Sequence, residues 1–186
     1  MTRLHFESKT GETATITEQE EDSFFRNRNP EDWVLVTIET VPIPKKRKIY
    51  IIGSLRNTCI PQVAKAIREA IPYSEVFDDW YAAGPEADDY WKQYEQERGR
   101  SYKEALQGHA GKNVFDFDKR NIDEATDVVL VTPAGKSGHL EFGYSLGQGK
   151  NGHVLLDPDE DRWDVMYQFA TSVQQDIDGL IKALKG

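Results

Sequence analysis

With 186 residues, 38% of them hydrophobic and 30% charged, the chain is long enough for one ordinary α/β domain and a small appendage. Its 23 Lys and Arg against 32 Asp and Glu leave a net charge of −9, which argues against nucleic acid as a main partner, since such binders carry a basic face. The single cysteine, Cys59, rules out an internal disulfide and fits a reducing, cytoplasmic setting. No apolar signal region stands in "MTRLHFESKTGE", and the longest apolar runs, "IYIIG" and "DVVLV", are too short to span a bilayer.

Residues 1–44 alternate apolar and polar positions in "RLHFES", "ETATITE" and "DWVLVTIETV", with Thr10-Gly11 between the first two, the pattern of a β-meander. "VPIPKKRK" reads as a connector, because Pro42 and Pro44 interrupt a strand ladder. The basic run Lys45–Lys48 within it reads as a solvated linker rather than a nucleic-acid patch. The division expected is a β extension over 1–46 and a second domain over 47–186.

From Lys48 the pattern becomes β/α. "KIYIIGS" is a buried strand, and "PQVAKAIREAI" has helical spacing with Pro61 in its opening turn. "SEVFDDW" is a second strand, "ADDYWKQYEQERGRSYKEALQG" is helical, and "KNVFDFD" leads into a short helix, "KRNIDEAT". "DVVLVTP", the loop "AGKSGH", the helix "LEFGYSLGQG", the strand "GHVLLD" and a last helix, "VMYQFATSVQQDIDGLIKAL", complete the chain. Such alternation predicts an α/β fold, a parallel sheet with helices on both faces. Ligands of these sheets bind at the carboxyl ends of the strands, where "GSLRN", "DFDKRN" and "TPAGKSGHLE" fall.

Gly135-Lys136-Ser137 has the closing letters of a phosphate-binding P-loop, but the glycine required five residues earlier is Leu130. A more productive residue is Glu141, expected near a helix start whose free N–H groups keep a carboxylate ionised and able to attack an electrophilic carbon. Gly53 would let a substrate approach the backbone, with the polar Ser54, Arg56 and Asn57 just beyond it; Arg56 suits a phosphate or, alternatively, a surface ion pair. Asp79 and Trp80 follow the second strand and are candidates for nucleobase recognition, the alternative being packing of the insertion between Phe77 and Gly108. Asp127 reads as a turn residue. His5, His109, His139 and His153 lack metal-site spacing, so no metal and no organic cofactor is expected.

"IYIIGSLRN", "DKRNIDEATDVVLV" and "GKSGHLEFGYSLGQGK", in this order, resemble the nucleoside 2-deoxyribosyltransferase superfamily, which includes the deoxynucleoside monophosphate N-glycosidases. The resemblance covers about residues 48 to 170. Its most specific piece is Ser137-Gly138-His139-Leu140-Glu141-Phe142-Gly143-Tyr144. It implies a Rossmann-like, flavodoxin-like sheet and an enzyme of nucleotide metabolism, a transferase or hydrolase, acting on the bond between a (deoxy)ribose and its base. It implies Glu141 as nucleophile at C1′, Asp118 as the residue that contacts the base, and Tyr50 as the group that orients the nucleophile. Asp118 is also the N-cap expected for "KRNIDEAT", and Tyr50 could equally be core. "WDVMYQF", with Asp164 and Met166, resembles a segment that completes a neighbouring subunit's site, which implies a homo-oligomer with shared active sites.

Two departures pull the substrate in opposite directions. Where transferases carry an acid six residues before the nucleophile, this chain has Gly135, and its loop offers Lys136 and Ser137, suited to a 5′-phosphate. Asp164 stands where the transferases place an asparagine, and a carboxylate there would repel a phosphate. The alternatives are a nucleotide-binding sensor without catalysis on the same scaffold and cleavage of a larger N-glycoside such as a dinucleotide.

Overall fold

The structure, a computed structural model, describes residues 2–40, 47–159, 161 and 163–186. The chain divides into two compact units, Met1–Lys45 and Lys46–Gly186. The expected connector prolines, Pro42 and Pro44, lie outside the described residues, as do Lys45 and Lys46.

In the first unit, β1 (Thr2–Ser8), β2 (Thr13–Thr17) and β3 (Trp33–Thr40) form an antiparallel sheet in the order β2-β1-β3. This corrects the meander: β3 returns past β2 to pair with β1, with an irregular register between His5 and Phe6. Gly11, at φ 87°, makes the tight turn into β2. A short helix, α1 (Glu21–Phe25), carries Phe24 and Phe25 onto Phe6, with ring centroids 5.9 and 5.3 Å away. Trp33 meets Phe24 edge-on, so the core of this unit is largely aromatic around the buried Leu4 and Phe6.

The second unit is the expected α/β sheet. Its strands are β4 (Lys48–Ile52), β5 (Glu75–Phe77), β6 (Asp127–Val131), β7 (Asn151–Leu155) and β8 (Ser172–Gln174). All pairs are parallel in the order β5-β4-β6-β7-β8, the doubly wound order in which β4 and β6 flank the switch point. Its helices are α2 (Ile60–Ala70), α3 (Ala87–Glu97), α4 (Tyr102–Leu106), α5 (His109–Glu124), α6 (Lys136–Gly147) and α7 (Ile177–Lys185). Because strand side chains alternate, Ile49, Ile51, Val129 and Val131 face α2 and α7, whereas Tyr50, Ile52, Val128 and Leu130 face α5 and α6.

Four helical assignments change. "KNVFDFD" and "KRNIDEAT" are one helix, α5, so Asp118 is interior to it and caps nothing. α6 begins at Lys136, five residues before Glu141, so that carboxylate stands in the second turn rather than at the free N–H groups. The polar helix after β5 is broken at Gly99 (φ 71°) into α3 and α4. The last expected helix is broken twice, because Ser172–Gln174 leaves it to pair with β7 before α7 begins.

The amino end of the sheet is held by ions. Arg47 donates to both carboxylate oxygens of Asp127, at 2.8 and 2.6 Å. Lys48 is buried and donates to Asn121 (2.8 Å) and Glu124 (2.7 Å) of α5. The solvated-linker expectation therefore fails for both residues. Asp127 is the buried first residue of β6 rather than a turn residue.

Candidate functional site

Tyr50 sits mid-strand in β4 and is 1% exposed, with its ring stacked on Phe77 of β5 at 5.1 Å. α5 presents Asp118 one turn before the buried Asn121 and Ile122, on the face turned to the sheet. The bonds from Lys48 to Asn121 and Glu124 pin that helix to the start of β4. α6 places Glu141 between Gly138 and Ser145, both buried. Gly138 is what allows this approach: a Cβ there would lie 3.2 Å from Ile52 Cγ2 and 3.3 Å from Ala134 Cβ.

Tyr50, Asp118 and Glu141 therefore converge, although they lie on three separate elements. Burial pushes the Glu141 carboxyl up to about 7, and the negative charge of Asp118 adds to the effect. Burial likewise pushes Asp118 up to about 6, against the hydrogen-bonding influence of the Tyr50 hydroxyl, which lowers it. Tyr50 is driven well above the usual phenol range by burial and by both carboxylates, so it remains a protonated donor at neutral pH. Its hydroxyl bears on Asp118 by hydrogen bonding, whereas Glu141 bears on the hydroxyl only through its charge. Asp118 Oδ1 is buried without a hydrogen-bond partner, leaving an acceptor free for a ligand. Glu141 was expected to be kept ionised by the helix terminus; here burial and its acidic neighbour favour the protonated form instead.

The other candidates lie in the loops at the carboxyl end of the sheet. A cleft of about 700 Å³ is lined by residues 132–136, His139, Leu140, Asp164 and Tyr167, which brings Lys136, His139 and Asp164 together. Ser137 is exposed in the first turn of α6, beside this cleft. His139 is held between the Gly135 carbonyl, 2.9 Å from Nδ1, and the Tyr167 hydroxyl, 3.0 Å from Nε2. Asp164 Oδ1 accepts from the Met166 backbone N–H at 2.9 Å, while the Met166 side chain is exposed. A second cleft of about 610 Å³ lies toward α2 and α7 and shares Thr132 and Pro133 with the first. Glu141, Asp118 and Tyr50 line neither cleft.

Most of the remaining expected residues have structural partners. A Cβ on Gly53 would fall 2.5 Å from Ile60 Cδ1, so α2 packs closely on the backbone there. Ser54 Oγ accepts from the Arg56 N–H at 3.2 Å, and Arg56 pairs with Asp89 at 2.8 Å, both exposed. Asn57 is buried and bridges to the Val131 and Pro133 carbonyls, tying the two loops of the switch point together. Trp80 donates its indole N–H to the Ile51 carbonyl at 2.8 Å, and Asp79 is exposed.

Lys48 and Asn121, which set the position of α5, went unnoticed in the sequence. Reading 109–124 as one helix would have placed Asp118, Asn121 and Ile122 on one face. Among the described residues, no three His, Cys, Asp or Glu side chains converge as a metal site. No described helix is long and apolar enough to cross a membrane. No protein-family model matches this chain, and no curated protein matches it.

Proposed function

We propose that the protein cleaves or exchanges the N-glycosidic bond of a nucleoside or nucleoside 5′-monophosphate, with Glu141 as nucleophile. One observation carries this reading: two half-buried carboxyls, Asp118 and Glu141, are raised to about 6 and about 7 beside the neutral phenol of Tyr50. A pair of this kind supplies a nucleophile and an acid side by side near neutral pH. The reactive form is the minor one in which the single proton of the pair sits on Asp118 and Glu141 is ionised. Glu141 then attacks C1′, the C1′–N bond breaks, and its electron pair passes to the base, which takes the proton held by Asp118. Water, giving its proton to the Asp118 carboxylate, or a second base then attacks C1′ and releases the Glu141 carboxylate, the two-step course of a retaining glycosidase. The Tyr50 hydroxyl stabilises Asp118 once that group has lost its proton.

The resemblance of "GKSGHLEFGYSLGQGK" to the deoxyribosyltransferase superfamily supports the same chemistry. Lys136 and Ser137 at the mouth of the 700 Å³ cleft favour a phosphate-bearing substrate. The Asp164 carboxylate, occupied by the Met166 N–H, is less free to oppose one than its sequence position suggests. The exposed Val114, Phe115, Leu140 and Tyr144 on α5 and α6, with Trp163, Val165, Met166 and Phe169, form the apolar surface through which a homo-oligomer would share its sites.

Glu141→Gln is the test. The variant should fold and lose all release of free base from a panel of nucleosides and nucleoside monophosphates, measured by chromatography. Unchanged turnover ends the assignment. A nucleotide that raises the melting temperature and is recovered intact from the wild type would favour the sensor instead.

A further inference from the structure

The most exposed apolar element of the first unit is β3. Val34, Val36 and Ile38 are 60, 58 and 59% exposed, and Leu35 is 42% exposed. Within its unit the strand pairs with β1 along one edge, and among the described residues no strand of that unit occupies the other. Native sheets blunt such edges with lysine, proline or short strands. β3 has eight residues, with neither lysine nor proline among them, and its one charge is Glu39. The opposite edge of the sheet, β2, is instead threonine-rich, with Thr13 and Thr15 exposed. Only one edge therefore has the character of a pairing surface.

We infer that β3 is a self-association edge, pairing antiparallel with the β3 of a second copy to join two three-stranded sheets into one of six. The charges allow this partner and set this direction. The chain is acidic overall, at −9, so association through most of its surface is opposed by like charge. Trp33–Ile38 is an uncharged run on which two copies meet without that penalty. Antiparallel pairing centred near Val36 sets each Glu39 beside the other copy's Trp33, whereas parallel in-register pairing would stack Glu39 on Glu39. Antiparallel pairing is also the arrangement a two-fold axis generates from identical edges. This association is independent of the proposed chemistry.

The full chain in a Cys59→Ser background tests it. Val36→Lys should halve the mass of the largest species seen by sedimentation velocity at tens of micromolar. Val36→Cys should oxidise to a disulfide-linked dimer, because residues at the two-fold axis lie about 5 Å apart between Cα atoms, within disulfide reach. Val34→Cys should not, since antiparallel pairing moves it roughly 13 Å from its counterpart. The cysteine variants add no charge and keep the test decisive if the lysine variant unfolds the first unit. Unchanged mass with no crosslink overturns the proposal, as does equal crosslinking of both cysteine variants, which would mean parallel pairing. Protection from hydrogen exchange, in a monomeric sample, of those β3 amides that do not bond β1 would also overturn it, by showing that the chain covers its own edge.

Discussion

Glu141→Gln tests the site through stability as well as through turnover. The glutamate carboxyl moves from an ordinary 4.5 to about 7 on folding. The folded state therefore binds the proton more tightly than the unfolded state, and stability falls as pH rises from 4.5 through 7. At about 1.4 kcal/mol per unit of pKa, the ionised carboxylate costs the folded protein on the order of 3 kcal/mol at pH 8 and under about 1 kcal/mol at pH 5. Glutamine keeps the shape and removes the ionisation. The variant should therefore be more stable than the wild type by up to about 3 kcal/mol at pH 8, and close to it at pH 5. Urea unfolding of both proteins at the two pH values, followed by far-ultraviolet circular dichroism, reads the difference. An equal shift at both pH values, or a loss of stability at pH 8, would refute the claim that Glu141 is held by burial in an unfavourable charge state.

The pH dependence of base release should be bell-shaped, with limbs near 6 and 7, because the reaction needs one proton on the carboxyl pair. A flat profile from pH 5 to 8 would exclude that pair as the acid and nucleophile. Gly138→Ala should cost about 1–3 kcal/mol and lower kcat further than this destabilisation explains, since the new methyl pushes α6 away from Ile52 and carries Glu141 with it; unchanged kcat in a folded variant would show that this contact does not position Glu141. Asp127→Ala should destabilise by about 3 kcal/mol, measured by urea unfolding at pH 7, because it leaves Arg47 without its carboxylate. Against the opposing effect of its burial, Arg47, His153 and the Thr126 hydroxyl hold Asp127 well below the usual carboxylate range, so its contribution is present above pH 4 and fades as pH falls, and the variant should lose least in acid. A loss that does not shrink as the pH is lowered would contradict that assignment.

Local pattern was sufficient for the central strands of the sheet. Four apolar residues in a row at Ile49–Ile52 and at Val128–Val131 are fully buried, and the alternation of strand and helix predicted parallel pairing. The helix face at Val63 and Ile67 is legible for the same reason, since a single period places both against the sheet. In the second unit, local pattern fails where a distant partner decides. Ser172–Gln174 leaves an otherwise helical stretch because β7 offers an edge whose backbone groups need partners. α5 was expected only from Lys119 onward; its earlier turns carry the exposed Val114 and Phe115, and its place is fixed by Lys48, far away in the chain, which bonds Asn121.

The site divides in the same way. Glu141 and Asp118 are identifiable as residues from the motif around them, but their charge states are not, because a carboxyl's proton affinity depends on what is packed across from it. Glu141 owes its raised pKa to burial and to Asp118, a residue on another helix, and not to the helix terminus that its own sequence neighbourhood suggested. The amino-acid order alone set the central strands of the parallel sheet and the residues capable of chemistry. Only tertiary packing decided which of those residues lie together and which of them hold a proton, since both depend on distances between elements far apart in the chain.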